Sequence, residues 1–243
     1  MTVNFSEFAK SLTAESAFTV LAMAKQLKAT GKDVVELEIG DSPFDAPTAA
    51  REAGLQAIHD NMSHYCPSPG LPEFRAAAAN FVREEFGIPA TADNIAVGPG
   101  AKVFEQFFCE AFLNPGDGVL VFSPHFPTYP PNILRRGARM VLKPLKQEFE
   151  FRPQPADIEH FLQNDPAPRA IFLNSPHNPT GGVTTEQDCR DIADLIRGRN
   201  IAVLSDEPYC HMVWNGKHHS LAAQPGMLDQ CVAAYTFSKS YSM

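Results

Sequence analysis

The sequence predicts an α/β fold, a three-layer α/β/α arrangement around a mostly parallel sheet. Three observations carry this expectation. From about residue 47 onward, short β-branched and aromatic runs alternate with amphipathic stretches of helical length. The strand-like runs, "GVLVFSP" and "IAVLSD" among them, are almost continuously apolar, as suits a sheet covered on both faces. Finally, 243 residues with 44% hydrophobic content are enough to fill a sizeable core.

The elements follow in order. "AESAFTVLAMAKQLKA", residues 14–29, places apolar side chains at helical spacing and stops at Gly31. "DVVELEIGDSPFDAP" reads as a short strand and a Pro-rich crossing segment. "TAAREAGLQAIHDN" and "LPEFRAAAANFVREEFG" read as helices, "NIAVGPG" as a strand and "AKVFEQFFCEAFL" as a helix. "GVLVFSP" and "RMVLKPL" read as strands, and "ADIEHFLQND" as a helix. "RAIFLNSPHNPTGG" is a strand with a long exit loop, and "TEQDCRDIADLIRGRN" an amphipathic helix. "IAVLSDEPY" and "CVAAYTFSKS" close the series as strands with polar exits, the last running from Ala233 to Phe237 with Lys239 at its lip.

Composition narrows the function classes. A formal net charge of −8, with Lys and Arg spread thinly, argues against a nucleic-acid or anionic-membrane surface. No apolar run is long enough to span a bilayer, and the first residues lack a secretory-signal pattern. Five scattered cysteines form no Cys-x-x-Cys pair, which points to a reducing cytoplasm rather than a disulfide scaffold. No His, Cys and carboxylate set shows metal-ligand spacing, so no metal is expected. Gly98-x-Gly100 lacks the third glycine of a dinucleotide fingerprint, and no acidic residue ends the next strand, so NAD binding is rejected.

In parallel α/β sheets, ligands bind outside the carboxyl ends of the strands. The chemistry is therefore sought in "GPGAK", "SPHFPTY", "NSPHNPTG", "SDEPY" and "FSKS". Asn178, Asp206 and Lys239 are separated by intervals that each match one strand–helix–strand repeat, so the three side chains can converge on one pocket. A lysine amine at a strand end can be a nucleophile that forms a Schiff base with an aldehyde; alone, Lys239 reads equally as a solvated loop lysine. Asp206 ends an apolar strand, where burial raises its pKa unless a cation such as a protonated ring nitrogen pairs with it. A turn or helix-cap aspartate is the plainer alternative. Tyr209 is either a donor to an oxyanion or an ordinary half-buried tyrosine. Asn178 precedes a proline and is held extended, as it would also be in a plain turn. Gly100, Ala101 and Lys102 open a helix, where free N–H groups attract phosphate. Phe126 offers a stacking face for an aromatic ligand, or a core ring.

Taken together and in this order, "NSPHNPTGG", "SDEPY" and "FSKSYSM" resemble the class I/II aminotransferases of fold type I, enzymes that depend on pyridoxal 5′-phosphate. "EIGDSPFDAP" and "YCPSPGLPEFR" extend the likeness over essentially the whole chain. The resemblance implies that Lys239 is the Schiff-base lysine and Asp206 the partner of the pyridine nitrogen. Tyr209 and Asn178 match the donors to the phenolic oxygen. Gly100, Ala101, Lys102 and Ser238 fall where the phosphate is held, and Phe126 where a ring stacks on the pyridine. Tyr65 matches a tyrosine that reaches the neighbouring subunit's cofactor, which implies a homodimer. Gly40 matches a backbone position near the substrate carboxylate. The implied activity is transfer of an amino group between an amino acid and a 2-oxo acid. A carbon–sulfur lyase or synthase of the same fold, and a non-catalytic module or inactive fragment, are the alternatives.

The same resemblance divides the chain into residues 1–46, an N-terminal arm with part of a small domain that is largely missing, and residues 47–243, a cofactor-binding large domain incomplete at its C-terminus. Family members are longer, with a phosphate-binding and a substrate-binding arginine beyond the position of Met243. The 243-residue chain is accordingly expected to be truncated, to retain the cofactor poorly and to have little or no activity.

Overall fold

The computed structural model describes residues 3–12 and 16–243. The chain forms two compact units, Met1–Phe44 and Asp45–Met243. The first holds helices α1 (Glu7–Ser11) and α2 (Ser16–Ala29). The Ser6 side chain caps α1 by accepting from the Ala9 N–H at 3.1 Å. The strand expected within "DVVELEIG" is not formed; residues 32–36 carry no regular structure.

The second unit is the three-layer α/β/α fold. Helices α3 (Thr48–His59), α4 (Pro72–Phe86) and α5 (Lys102–Phe112) precede strand β1 (Gly118–Ser123). Then come α6 (Tyr129–Arg135), β2 (Arg139–Pro144), α7 (Pro155–Asn164), β3 (Pro168–Asn174), α8 (Glu186–Ile196), β4 (Ala202–Asp206), β5 (Cys231–Ala234) and α9 (Phe237–Ser240). The five strands lie in the order β2-β1-β3-β4-β5, and every pairing is parallel.

Strand alternation sorts the core into two layers. Leu120, Phe122, Ile171, Leu173 and Val203 point to one face, where they meet Val82 of α4, Ile158 and Phe161 of α7, and Ile192 and Ile196 of α8. Val119, Val121, Ala170, Phe172 and Leu204 point to the other, against Phe108 of α5 and Tyr129 and Ile133 of α6. α8 shows why such a segment is helical. Thr185 and Asp188 form a capping box, and Cys189, Ile192, Ala193 and Ile196 make one buried stripe.

Three sequence expectations shift here. "NIAVG" is not a strand: Val97 donates to the Pro69 carbonyl and the Ile95 carbonyl accepts from Arg75, but no ladder forms. The last strand ends at Ala234 rather than Phe237, because Thr236 turns the chain into α9 by accepting from the Ser238 N–H at 3.2 Å. Lys239 therefore rides on a helical turn just beyond the strand. The exit "SPHFPTY" runs into helix α6, which the sequence pattern did not predict and whose proline in the first turn needs no N–H partner.

Candidate active site

The carboxyl ends of β3, β4 and β5 sit side by side, since Asn174 pairs with Asp206 and Asp206 with Ala234 in the sheet register. Asn174 anchors the following loop. Its side-chain amide donates to the Asp206 carbonyl at 2.8 Å, and its side-chain oxygen accepts from the Asn178 N–H at 2.8 Å. Gly181, at φ +78°, lets the loop turn back so that its own N–H reaches the His177 carbonyl at 2.8 Å. Asn178 is thereby aimed at Tyr209: its Nδ2 donates to the phenolic oxygen at 3.2 Å. The Lys239 ammonium lies over the Tyr209 ring, 5.7 Å from its centre.

Asp206 is 6% exposed, and Tyr129 donates its hydroxyl to Oδ2 at 2.6 Å. Burial raises its pKa to about 6, opposed by the Tyr129 hydrogen bond. Burial also pushes Tyr129 well above the ordinary tyrosine value, with Asp206 adding to the shift. Tyr209 is raised too, mainly by burial. Tyr129 packs edge-on to Phe126 at 6.0 Å, and Lys102 lies 5.3 Å from the centre of the Phe126 ring.

Gly100, at φ +82°, opens the turn into α5, and a β-carbon there would come 3.9 Å from the Thr236 hydroxyl. The N-termini of α5 and α9 thus adjoin, and the N–H groups at the start of α5 suit an anion, while the Ser238 N–H at the start of α9 is taken by Thr236. A buried carboxyl aimed at the site, paired amide and phenol donors and an amine beside them form a donor set that fits a phosphorylated pyridine aldehyde.

The structure brings Gly100, Ala101, Lys102, Phe126, Asn178, Asp206, Tyr209, Ser238 and Lys239 to one end of the sheet. Tyr65 is fully exposed and takes no part in this cluster. Gly40 belongs to the N-terminal unit. Sequence reasoning missed Tyr129, Asn174 and Glu207. Tyr129 was hidden in a proline-rich run, although it lies one helical turn after Phe126. Asn174 is a strand-end residue whose partner, Asn178, lies four positions on. Glu207 is 1% exposed and accepts from Ser205 (2.6 Å), Ser220 (2.8 Å) and Tyr235 (2.6 Å), with His218 at 2.7 Å. Beside Asp206, it faces away and ties the exits of β4 and β5 together.

Known proteins resemble this chain in sequence and fold. The family "Aminotransferase class I and II" matches residues 32–243. Aspartate aminotransferase of Pyrococcus abyssi is 34% identical over 214 residues, 87% of this chain and 54% of that protein. The probable aspartate/prephenate aminotransferase of Aquifex aeolicus is 36% identical over 227 residues, 93% of this chain and 57% of that protein. The solved structure of Thermus thermophilus aspartate aminotransferase with maleate superimposes at a TM-score of 0.91, with 29% identity, covering 100% of this chain and 62% of that one. The chain thus spans 54% to 62% of the length of these relatives. The cofactor of the family is pyridoxal 5′-phosphate. The chain belongs to the class I and II aminotransferases.

Proposed function

We propose that the protein is a pyridoxal 5′-phosphate-dependent aminotransferase that moves an amino group between an amino acid and a 2-oxo acid. The observation that carries this reading is the convergence of Asp206, Tyr209, Asn178 and Lys239 at the ends of adjacent strands, with Lys239 over the Tyr209 ring. Bound here, the cofactor supplies an electron sink for the charge left on the substrate Cα.

The chain's own groups divide the remaining work. The Lys239 Nζ would hold the cofactor covalently and is the amine placed to take the Cα proton as a general base. The Asp206 carboxylate keeps a proton on the ring nitrogen by pairing with it, while Tyr129 holds that carboxylate in place. Tyr209 and Asn178 donate toward the phenolic oxygen. The N–H groups following Gly100, with Ala101, Lys102 and Ser238, would hold the phosphate, and Phe126 would offer the ring a stacking face. The protein works as a cytoplasmic homodimer, with the exposed Tyr65 reaching the neighbouring subunit's phosphate.

The reaction class is tested by giving the purified protein, with cofactor, an amino donor panel with and without a 2-oxo acid. A new amino acid formed only when the acceptor is present is expected. Ammonia and a 2-oxo acid released without any acceptor would refute transamination.

The raised pKa of Asp206 gives a prediction with a definite sign. A carboxyl at about 6 in the cofactor-free fold is still protonated when the unfolded chain has lost its proton, so this group's share of stability falls as pH rises from about 4 to 6. The ionised form is the one that pairs with a ring cation. Cofactor affinity is therefore expected to rise between pH 5 and 7. Asp206→Asn should remove that rise and weaken binding by on the order of 2–5 kcal/mol, at least about thirtyfold. Equilibrium titrations followed by cofactor absorbance check it.

A further inference from the structure

One buried acid has no role in the chemistry above. Glu105, in the first turn of α5, is 2% exposed. Its Oε2 accepts from the Thr128 hydroxyl at 2.5 Å and from the Asn132 amide at 3.4 Å. Thr128 immediately precedes Tyr129, the residue whose hydroxyl rests on Asp206. Three residues earlier, α5 begins with Lys102, whose ammonium lies against the Phe126 ring. The segment 126–129 is thus fastened to α5 at two points, one at the phosphate end of the helix and one a turn deeper.

We infer that Glu105 is a positioning residue: its buried carboxyl, bonded to Thr128, fixes the 126–129 segment against α5, so that the Phe126 ring and the Tyr129 hydroxyl stay registered with Asp206. This rests on the functional reading above. Position matters because the Tyr129–Asp206 bond is short and buried, and a shift of the preceding residue moves the phenol directly. The acid form follows from the surroundings. Lys102 and Cys109 face Glu105 from its own helix, Asp206 from β4 and Tyr129 from α6; burial outweighs the Lys102 attraction and the two hydrogen bonds, and holds the carboxyl at about 8. A neutral group that accepts a hydrogen bond is what glutamine reproduces and leucine does not.

Two readouts test this, the first without cofactor. Because the folded carboxyl keeps its proton up to about pH 8 and the unfolded chain releases it near 4.5, the melting temperature of the wild type should fall as pH rises toward 8. Above about pH 6.5 the Asp206 contribution is spent, and the lowered His177 and His219 titrate alike in wild type and variant, so the difference between their slopes from there to pH 8 isolates Glu105. Glu105→Gln should flatten that slope; an unchanged slope in Glu105→Gln overturns the uncharged-acid claim.

The second readout is the dissociation constant of pyridoxal 5′-phosphate at pH 7. Glu105→Gln should stay within about threefold of wild type, while Glu105→Leu and Thr128→Val should each weaken binding about tenfold through the unpaired partner left behind. The double variant should be no worse than either single one, since both remove the same link. Additive losses, or wild-type binding in Glu105→Leu, overturn the inference while the functional reading stands. A wild-type protein that binds no pyridoxal 5′-phosphate overturns that reading and this inference together.

Discussion

Replacing Lys239 with alanine is expected to abolish covalent attachment of pyridoxal 5′-phosphate and to lower the transamination rate by at least about 10²–10⁴-fold, the range associated with loss of a positioned general base. The amine sits on the first turn after β5, and Thr236 fixes that turn by accepting from the Ser238 N–H. Its ammonium lies 5.7 Å from the centre of the Tyr209 ring, beside the two donors supplied by Asn178 and Tyr209. Removing it leaves Asp206, Tyr129 and the phosphate cradle untouched. The variant should therefore still take up the cofactor, reversibly and with weaker affinity, which equilibrium dialysis separates from loss of folding. Retention of a borohydride-stable adduct in Lys239→Ala would show that another amine does this work.

The second large effect is on stability. Glu207→Ala is expected to destabilise the large unit by roughly 4 kcal/mol, lowering its melting temperature by about 10 °C in a chain of this size. Glu207 gathers Ser205 on β4, Tyr235 beyond β5, and His218 and Ser220 on the intervening loop around one buried carboxyl. Phe86 seals the cluster, stacked on Tyr235 at 5.5 Å and edge-on to His218 at 5.2 Å. Truncation to alanine strands several buried donors at once, and each such group costs about 1–3 kcal/mol, not additively. Because the cluster ties the exits of β4 and β5, cofactor affinity should fall along with stability. Thermal melting with and without pyridoxal 5′-phosphate separates the two effects; an unchanged melting temperature would mean that the carboxyl holds nothing together.

These two residues show what could and could not be read from sequence. Lys239, Asp206 and Asn178 could be placed at strand exits because such exits are recognisable from local pattern; the expected strand–helix–strand interval holds from Asn178 to Asp206, whereas β4 and β5 are joined by a loop with a single 3₁₀ turn at Leu221–Ala223 and no α-helix. The parallel sheet was legible from local pattern too: a strand buried on both faces carries an unbroken apolar run, as residues 119–122 of β1 do. Tyr129 and Glu207 were not legible, since their roles come from contacts between distant segments. Tyr129 meets Asp206 across 77 positions of sequence, and Tyr235 meets Glu207 across 28. The segment "NIAVG" illustrates the opposite failure. Its β-branched and apolar residues suit a strand, yet a strand exists only when a neighbour offers a ladder, and among the described residues none pairs with it.

The account's central claim is that one phosphorylated pyridine aldehyde binds where Asn178, Asp206, Tyr209 and Lys239 meet. It is tested most directly by incubating the purified protein with pyridoxal 5′-phosphate, reducing with borohydride, and mapping the added mass on peptides. The expected result is a single stoichiometric modification on Lys239. An unmodified Lys239, or label scattered over surface lysines such as Lys146 and Lys217 in its place, would contradict the claim.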